Sequence, residues 1–373
     1  MKYFQVCLLS IFLVIGVSGC RGKVNIEDVT LSMILGIDVN DENKVEVFMA
    51  SPVFSGETKA KTEHFNVQTL SIKESRNYFD TRASGVTGGG KIQAILIGSK
   101  VLEHKNWFSI MDMFFRDPKF RLNADLIFVD GPLADVFNLK PEDKPELPIY
   151  IPQLIQTADF RNVAFRTSIR QFHQMYYEKG ITPFAPELAI QEDHLVVNGT
   201  TLLTKNNLYN RTLSMNETQL LKILKDHLEG QLVIALDLKK FKKDVDDVFT
   251  DEETSFYIKD VKRKIDKKYT NGHYSFIVNL TMPIMFTESP IGLTNSSEVI
   301  LKKAIEKKLQ KELNNLIQSF QKDKVDPVGF GILAHSFQYA DWKKNENHWL
   351  DTYQKSNIKV NVKIIVIDKG ITM

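Results

Sequence analysis

The run Gly85-Val86-Thr87-Gly88-Gly89-Gly90-Lys91 has the spacing G-x-x-x-x-G-K, in which backbone N–H groups and a lysine cradle nucleotide phosphates. Three features turn the reading away from that chemistry. Ile92 stands where a serine or threonine would hold Mg²⁺. The run precedes an apolar stretch at 91–98, whereas a phosphate loop joins a strand to the helix whose N-terminus holds the anion. Three adjacent glycines also permit a turn into that stretch at no steric cost. The eight histidines, at 64, 104, 173, 194, 227, 273, 335 and 348, offer no alternative. No two stand three or four residues apart and no cysteine partners them, so a zinc site is not expected. There is no G-x-S-x-G elbow and no S-x-x-K with its partners. The acidic run at 244–247 and 251–253 lacks the spaced ligands and glycine turn of a calcium loop, and reads as a solvated loop. The sequence therefore predicts no catalytic residue, no cofactor and no metal ligand. This does not look like an enzyme.

Cys20 is different. It closes the segment MKYFQVCLLSIFLVIGVSGC, where Lys2 gives a positive start and an apolar run spans 6–17. That run is far short of the roughly 20 apolar residues a membrane-spanning helix needs. It fits the apolar region of a secretory signal. The ending Val17-Ser18-Gly19-Cys20 resembles a bacterial lipobox, in which the cysteine thiol is lipidated and the chain is cut just before it. Each buried acyl methylene contributes about 0.8 kcal/mol and one chain anchors only marginally, so a two-chain diacylglyceryl group would hold the protein stably. No later window reaches about 18 uninterrupted apolar residues, so no other membrane crossing is expected.

Composition agrees with a tethered globular body. Lys+Arg and Asp+Glu number 48 and 46 in the whole chain, which leaves no basic excess for nucleic acid. Cys7 falls inside the signal, so a chain starting at Cys20 can form no internal disulfide. Such a chain exceeds the length one core usually serves, and two or three domains are expected. The divisions are a signal peptide at 1–19, an N-terminal α+β domain at 20–190, and a C-terminal α+β domain at 191–373 that allows two subdomains.

After a short polar tether at 21–30, alternation and turn residues predict a hairpin, 31–39 with 44–54, closed by Asn40-Asp41-Glu42-Asn43. A third strand is expected at 65–70 and a helix at 71–84, capped by Ser71 with Glu74. The stretch 91–98 reads as a strand, 102–116 as a helix ended by Asp117-Pro118, 124–130 as a strand and 133–139 as a short helix. Four prolines between 140 and 152 predict an extended loop, before a helix at 162–179. Gly180, Pro183 and Pro186 set the domain boundary near 190.

The second half opens with a strand pair, 195–197 and 200–204, turned by Asn198-Gly199. Ser214 and Glu217 form a capping box for a helix to 228. Strands follow at 232–238, 255–264 and 274–286, the last two paired through Thr270-Asn271-Gly272, then a loop at 287–293. A long helix at 298–322 carries the apolar stripe Leu301, Ile305, Leu309, Leu313, Leu316, Ile317 and Phe320, so it should cover a sheet that includes the last strand at 358–367. The aromatic pairs Trp107-Phe108 and Phe114-Phe115, and Trp342 with Trp349, fit core packing; a contact surface for another protein is the other reading.

In this order the motifs resemble the Ger(x)C family, the lipoprotein C subunits of spore germinant receptors. The matching residues are the lipobox with Cys20, Leu35-Gly36-Ile37-Asp38, the stretch from Gly90 to Asp130 with Arg116-Asp117-Pro118, Gly199-Thr-Thr-Leu-Leu203, Leu213 with Glu217, Gly329-Phe-Gly331, and Trp349. Arg21-Gly22 departs from the Trp-Asp that members often carry after the cysteine. The resemblance implies a non-catalytic, diacylglycerol- and palmitate-bearing lipoprotein at the inner spore membrane. It would act with an A and a B membrane subunit in nutrient-triggered germination. Two other classes stay open: a lipid-anchored solute-binding protein of a transporter, which would need longer β-α alternation than the sequence shows, and an envelope enzyme with an unrecognised site.

Overall fold

The structure of the protein is a computed structural model that describes residues 25, 28–53, 60–140, 143–237, 253–288 and 295–368. The expected signal at 1–19, Cys20, the acidic run up to Glu252 and the loop at 289–293 lie outside the described residues.

Continuous apolar runs build the larger sheet. Its strands are β2 (Ile34–Val39), β3 (Val45–Pro52), β4 (Thr62–Gln68), β6 (Ala94–Gly98), β7 (Asp125–Asp130), β8 (Phe184–Gln191), β9 (His194–Leu203) and β10 (Tyr209–Leu213), in the order β10-β9-β8-β7-β6-β2-β3-β4. The neighbours β8, β7, β6 and β2 run parallel, and antiparallel hairpins flank them. Parallel strands are buried on both faces, which is why AILIG and DLIFV are apolar without alternation. Ile95 and Ile97 enter one core, with Trp107, Phe108, Phe114 and Phe172; Ala94 and Leu96 enter the other, with Leu133, Phe137, Ile151 and Ile155. A two-stranded parallel ribbon, β1 (Val29–Leu31) with β5 (Val86–Gly88), lies beside this sheet.

The second sheet comprises β11 (Leu232–Asp237), β12 (Glu253–Ile258), β13 (Lys262–Thr270), β14 (His273–Glu288) and β15 (Asn357–Asp368). The long helix at Asn295–Asp323 covers one of its faces, with Ile305, Leu309, Leu313 and Phe320 fully buried against Phe276, Val278, Leu280, Val360 and Ile364. Its polar side chains also close the sheet's edge. The N–H groups of Val360 and Ile364 donate to Asn314 Oδ1 (3.0 Å) and Glu306 Oε1 (2.8 Å). An edge strand left bare would invite pairing with another chain. The α+β class and the helix-on-sheet arrangement stand as expected.

Several local expectations need correcting. The prolines at 140–152 do not make a loop throughout. A helix spans Leu147–Phe160, with Pro148 in its first turn, where the missing N–H costs nothing. The helix expected at 162–179 is confined to Ile169–Tyr177. Asn198-Gly199 is no hairpin turn. β9 runs through it, and the turn falls at Glu192-Asp193, both with positive φ. Gly199 instead sits at a β-bulge with φ +136°, where an added Cβ would lie 1.9 Å from the Leu213 carbonyl oxygen. The expected helix at 102–116 is two short 3₁₀ turns followed by a helix at Asp112–Arg116. Asn271-Gly272 does turn a hairpin into β14, but from strand 262–270 and not 255–264. The β8–β9 hairpin carries the larger sheet past residue 190.

Candidate functional site: a buried polar junction between the two sheets

The residues singled out by motif mostly serve packing. Gly36 lets the helix Leu133–Asn138 press onto β2, since a Cβ there would meet the Phe137 ring at 2.8 Å. Asp38, three residues from Leu35 in the same motif, accepts the Leu133 N–H at 2.9 Å and so caps that helix. Burial pushes its carboxyl up, while two backbone N–H groups oppose the shift. In the glycine run no residue adopts positive φ. Its glycines permit close approach: a Cβ on Gly85 would meet Asp28 O at 2.5 Å, one on Gly88 would meet Val29 at 2.9 Å, and one on Gly89 would meet the Phe120 ring at 2.2 Å. Residues 86–88 pair with β1, Lys91 points to solvent, and the run continues into a single 3₁₀ turn and then β6, not into the helix that a phosphate loop opens. The expected turn into the strand is present as the 3₁₀ turn Gly89–Lys91, and the glycines also make the run a packing seam.

Arg116 pairs with Asp112 on the same short helix, and Asp117 Oδ1 accepts the Lys119 N–H at 3.0 Å to close the turn. This turn borders a cleft of about 600 Å³ that also reaches Ser32, Met49, Arg76, Asp80, Thr87 and Gly89. Trp107, Phe108 and Phe114 are core, the first two against Phe172 and the third against Phe120. Trp342 and Trp349 are buried too, with ring centroids 5.2 Å apart.

The polar groups that sequence reading missed lie between the sheets. Asp326 is fully buried just past the long helix. Its Oδ1 accepts N–H groups from Gly329 (2.8 Å) and Phe330 (3.0 Å), and its Oδ2 from Gly331 (2.9 Å) and Trp349 Nε1 (3.0 Å). The carboxylate thereby starts the helix Phe330–Phe337 and fastens Trp349 to it. Burial pushes this carboxyl up; all four donors oppose that shift and favour the ionised form. The Asp326 backbone exchanges bonds with Thr182 of the first half: Asp326 N–H to Thr182 Oγ1 at 2.7 Å, and Thr182 N–H to Asp326 O at 2.9 Å. Gly331 and Gly180 touch directly, and a Cβ on Gly331 would fall 2.5 Å from the Gly180 Cα. So Gly329-Phe-Gly331 and Trp349 work as one joint with the first half.

Helix Met215–Lys225 contributes two lysines to the same seam. Lys222 is fully buried and donates to Asp159 Oδ1 (2.6 Å) and Asp159 O (3.0 Å), with its ammonium 5.1 Å from the Phe165 ring centre. Burial pulls its pKa down against the attraction of Asp159. Lys225 donates to Pro327 O at 2.9 Å, and burial lowers its pKa to about 8. Nearby, Asp125 is bound by Arg166 Nε at 2.8 Å; burial raises the Asp125 carboxyl and the carboxylate raises Arg166. Asp125, Asp159 and Arg166 belong to the first half, and the lysines to the second. A cleft of about 650 Å³ opens at this seam, lined by Arg166, Gln174, Tyr177, Phe184, Lys225 and His227. The sequence carries no signal for this burial: Lys222 and Lys225 fall on one helical stripe with Thr218 and Gln219, which reads as an ordinary solvated face. Among the described residues no group of three or more His, Cys, Asp or Glu could hold a metal ion, and no helix is long and apolar enough to cross a membrane.

An α+β body of two sheets locked by a buried polar seam is the class that fold and site define. The family model "Spore germination protein N-terminal domain" matches residues 22–190, and "Spore germination B3/GerAC like, C-terminal" matches residues 198–370. The chain belongs to this family of spore germination proteins, the Ger(x)C family. Among its relatives, Spore germination protein A3 of Bacillus subtilis (strain 168) is 23% identical, spanning 95% of this chain and 94% of the relative. Spore germination protein GerQC of Bacillus cereus is 19% identical over 100% of this chain and 99% of its own. The crystal structure of the GerBC protein superposes with a TM-score of 0.57 at 19% identity, covering 89% of this chain and 96% of that one, and shares its fold.

Proposed function

We propose that this protein is the lipid-anchored C subunit of a spore germinant receptor, held to the membrane through Cys20 and acting on the A and B membrane subunits by contact, without catalysis. The observation that carries the reading is the match of both family domains along one chain that also begins with a lipobox. The anchor would supply what the described helices do not, a hold on the bilayer. Confinement to the membrane plane raises the effective concentration of partners, so weak contacts suffice. The seam supports action by contact: Lys222 bound to Asp159 joins the two halves, and the Asp326 carboxylate is taken up holding Gly331 and Trp349 in place.

The test is Cys20→Ala expressed in the native host. The variant should lack incorporated labelled fatty acid and leave the membrane fraction, and germination through this receptor should fall. Full membrane retention of Cys20→Ala at the normal mature size would defeat the anchor. Normal germination with a soluble variant would defeat the requirement for anchored contact. The clefts of about 600 and 650 Å³ keep solute binding as a second reading. A rise in thermal midpoint with one compound of an amino-acid and sugar panel would favour it.

A further inference from the structure

The second sheet has one face covered by the long helix and one that no described element covers. On this open face the register of three strands lays out a grid. Lys262, Thr281 and Lys363 share the first rung; Lys264, Asn279 and Asn361 the second; Asp266, Ile277 and Lys359 the third; Lys268, Ser275 and Asn357 the fourth. All five lysines are exposed, against a single acid. With strands about 4.8 Å apart and alternate residues about 6.8 Å apart, the grid covers roughly 10 by 20 Å. Asp266 is already engaged. It accepts from Asn279 Nδ2 at 2.8 Å and lies 3.7 Å from Lys264, and Asn361 in turn bonds Asn279 at 2.9 Å. Among the described residues the other four lysines have no carboxylate within 4 Å. The chain as a whole is near balance, at 48 basic and 46 acidic residues, so this concentration is local.

The same face becomes apolar toward the far end of the strands. Pro283 pairs with Ile365, and Met285 pairs with Tyr257, which pairs with Val233. Val233, Ile365 and Ile367 are each more than two-fifths exposed. An open sheet face should be polar throughout; this one is basic along most of its length and apolar at one end. That combination suits a bilayer interface, where lysines meet anionic headgroups and adjoining apolar side chains sink to the acyl boundary. A nucleic acid would use the lysines but leave the apolar end without a partner.

We propose that the open face of the second sheet docks on an anionic lipid surface, with Lys262, Lys264, Lys268, Lys359 and Lys363 at the headgroups and Ile365 and Ile367 at the interface. The face would orient the body on the membrane, with the helix-covered side turned away. Docking is separable from the lipid anchor, because it can be read on protein that carries no lipid.

The test uses the full, unlipidated chain with vesicles of phosphatidylcholine alone or mixed with phosphatidylglycerol, read by co-sedimentation. The N-terminal segment is common to all samples, so the variants report the face. Wild type should partition roughly tenfold or more better onto the mixed vesicles at low salt, and that preference should fade as salt screens it. The triple variant Lys262→Glu, Lys264→Glu, Lys363→Glu should lose it. Its control, Lys302→Glu, Lys303→Glu, Lys307→Glu on the long helix, makes the same change in net charge and should keep it. Ile365→Ser with Ile367→Ser should weaken binding while keeping the lipid preference. Thermal midpoints close to wild type would show that the variants are folded. Equal loss in both triple variants, or no preference in wild type, would overturn the proposal. So would face-dependent binding to a 20-base-pair DNA duplex with none to the vesicles. Each of those results would leave the Cys20 reading standing.

Discussion

The two sheets solve the burial problem differently. In the first, helices cover both faces, and consecutive residues of one strand serve different cores: Ile95 and Ile97 on one side, Ala94 and Leu96 on the other. In the second, β14 alternates. Tyr274, Phe276, Val278, Leu280, Met282 and Ile284 are buried, whereas Ile277 between them is 41% exposed. Among the described residues the central strands of the first sheet thus leave no open face. The second has one, and its exposed residues are free to be selected for contact. In this molecule surface function has room on the sheet that leaves one face open.

The sharpest way to break this contrast is to place a charge on neighbouring residues. Ile95→Asp and Leu96→Asp should abolish folding alike, because an unpaired carboxylate enters one core or the other. In the second sheet Val278→Asp should do the same, while Ile277→Asp should change stability by less than about 1 kcal/mol. Urea titration of soluble protein measures this. A tolerated Leu96→Asp, or an unfolded Ile277→Asp, would show that the two sheets do not differ as described.

The joint between the sheets comes next. Asp326→Ala would strand four donors, on Gly329, Phe330, Gly331 and Trp349 Nε1, in a buried site. Unsatisfied buried donors cost about 1–3 kcal/mol each before relaxation, so a loss of about 3–5 kcal/mol is expected. The second sheet should suffer first, because Trp349 and helix 330–337 pack on it. Protection of its amides in hydrogen exchange should fall before that of β6 and β7. Uniform loss over both sheets would mean that the seam couples them into one cooperative unit.

The contrast between the sheets also explains what was legible in the sequence. The alternation of β15 and the stripe on the long helix were readable, because each element buries one face and leaves a periodic signature. The strand 184–191 was missed. Pro183 and Pro186 look like breakers, yet β7 pairs with β8 only from Glu187 onward, so the N–H that Pro186 lacks is not needed by that ladder. Helix 147–160 was hidden by the same residue type, with Pro148 in its first turn and Pro152 inside. Asn198-Gly199 misled for another reason: a positive-φ glycine serves a bulge as well as a turn, and only the Leu213 carbonyl above it decides. The seam could not be read at all from spacing. Thr182 and Asp326, or Asp159 and Lys222, are distant in sequence and meet only after both sheets form.

Lys225 gives the seam a pH signature. Its pKa is lowered to about 8 by burial, against an ordinary 10.5. Below pH 8 the lysine is charged in both the folded and unfolded chain, and the cost of burying the charge is fully present. Between about pH 8 and 10.5 the unfolded chain holds the proton more tightly than the folded one, so stability should rise with pH. A tenfold difference in proton affinity corresponds to about 1.4 kcal/mol, which limits the rise to about 3 kcal/mol. Other groups titrate in this range, so the measurement is the difference between wild type and Lys225→Met in urea midpoints from pH 7 to 10.5. The difference should narrow as pH rises if the lysine charge is the burden. A constant difference would mean that the bonds to Pro327 and Val328 offset burial of the charge.

The smallest effects decide what the glycine run is for. As a packing seam, it makes Gly89 the sensitive position and Lys91 the indifferent one; a phosphate loop would make Lys91 indispensable. A Cβ on Gly89 would lie 2.2 Å from Phe120 Cε1, but that half-buried ring has room to shift, so Gly89→Ala should cost about 1–3 kcal/mol. Combining it with Phe120→Ala should cost less than the two changes summed, since the clash disappears with the ring. Lys91 is exposed, and Lys91→Ala should move stability by no more than about 0.5 kcal/mol. Germination should be unchanged in Lys91→Ala. If Lys91→Ala abolished germination while protein level and membrane association stayed normal, Lys91 would have a contact that packing does not explain, and the first sheet would carry function after all.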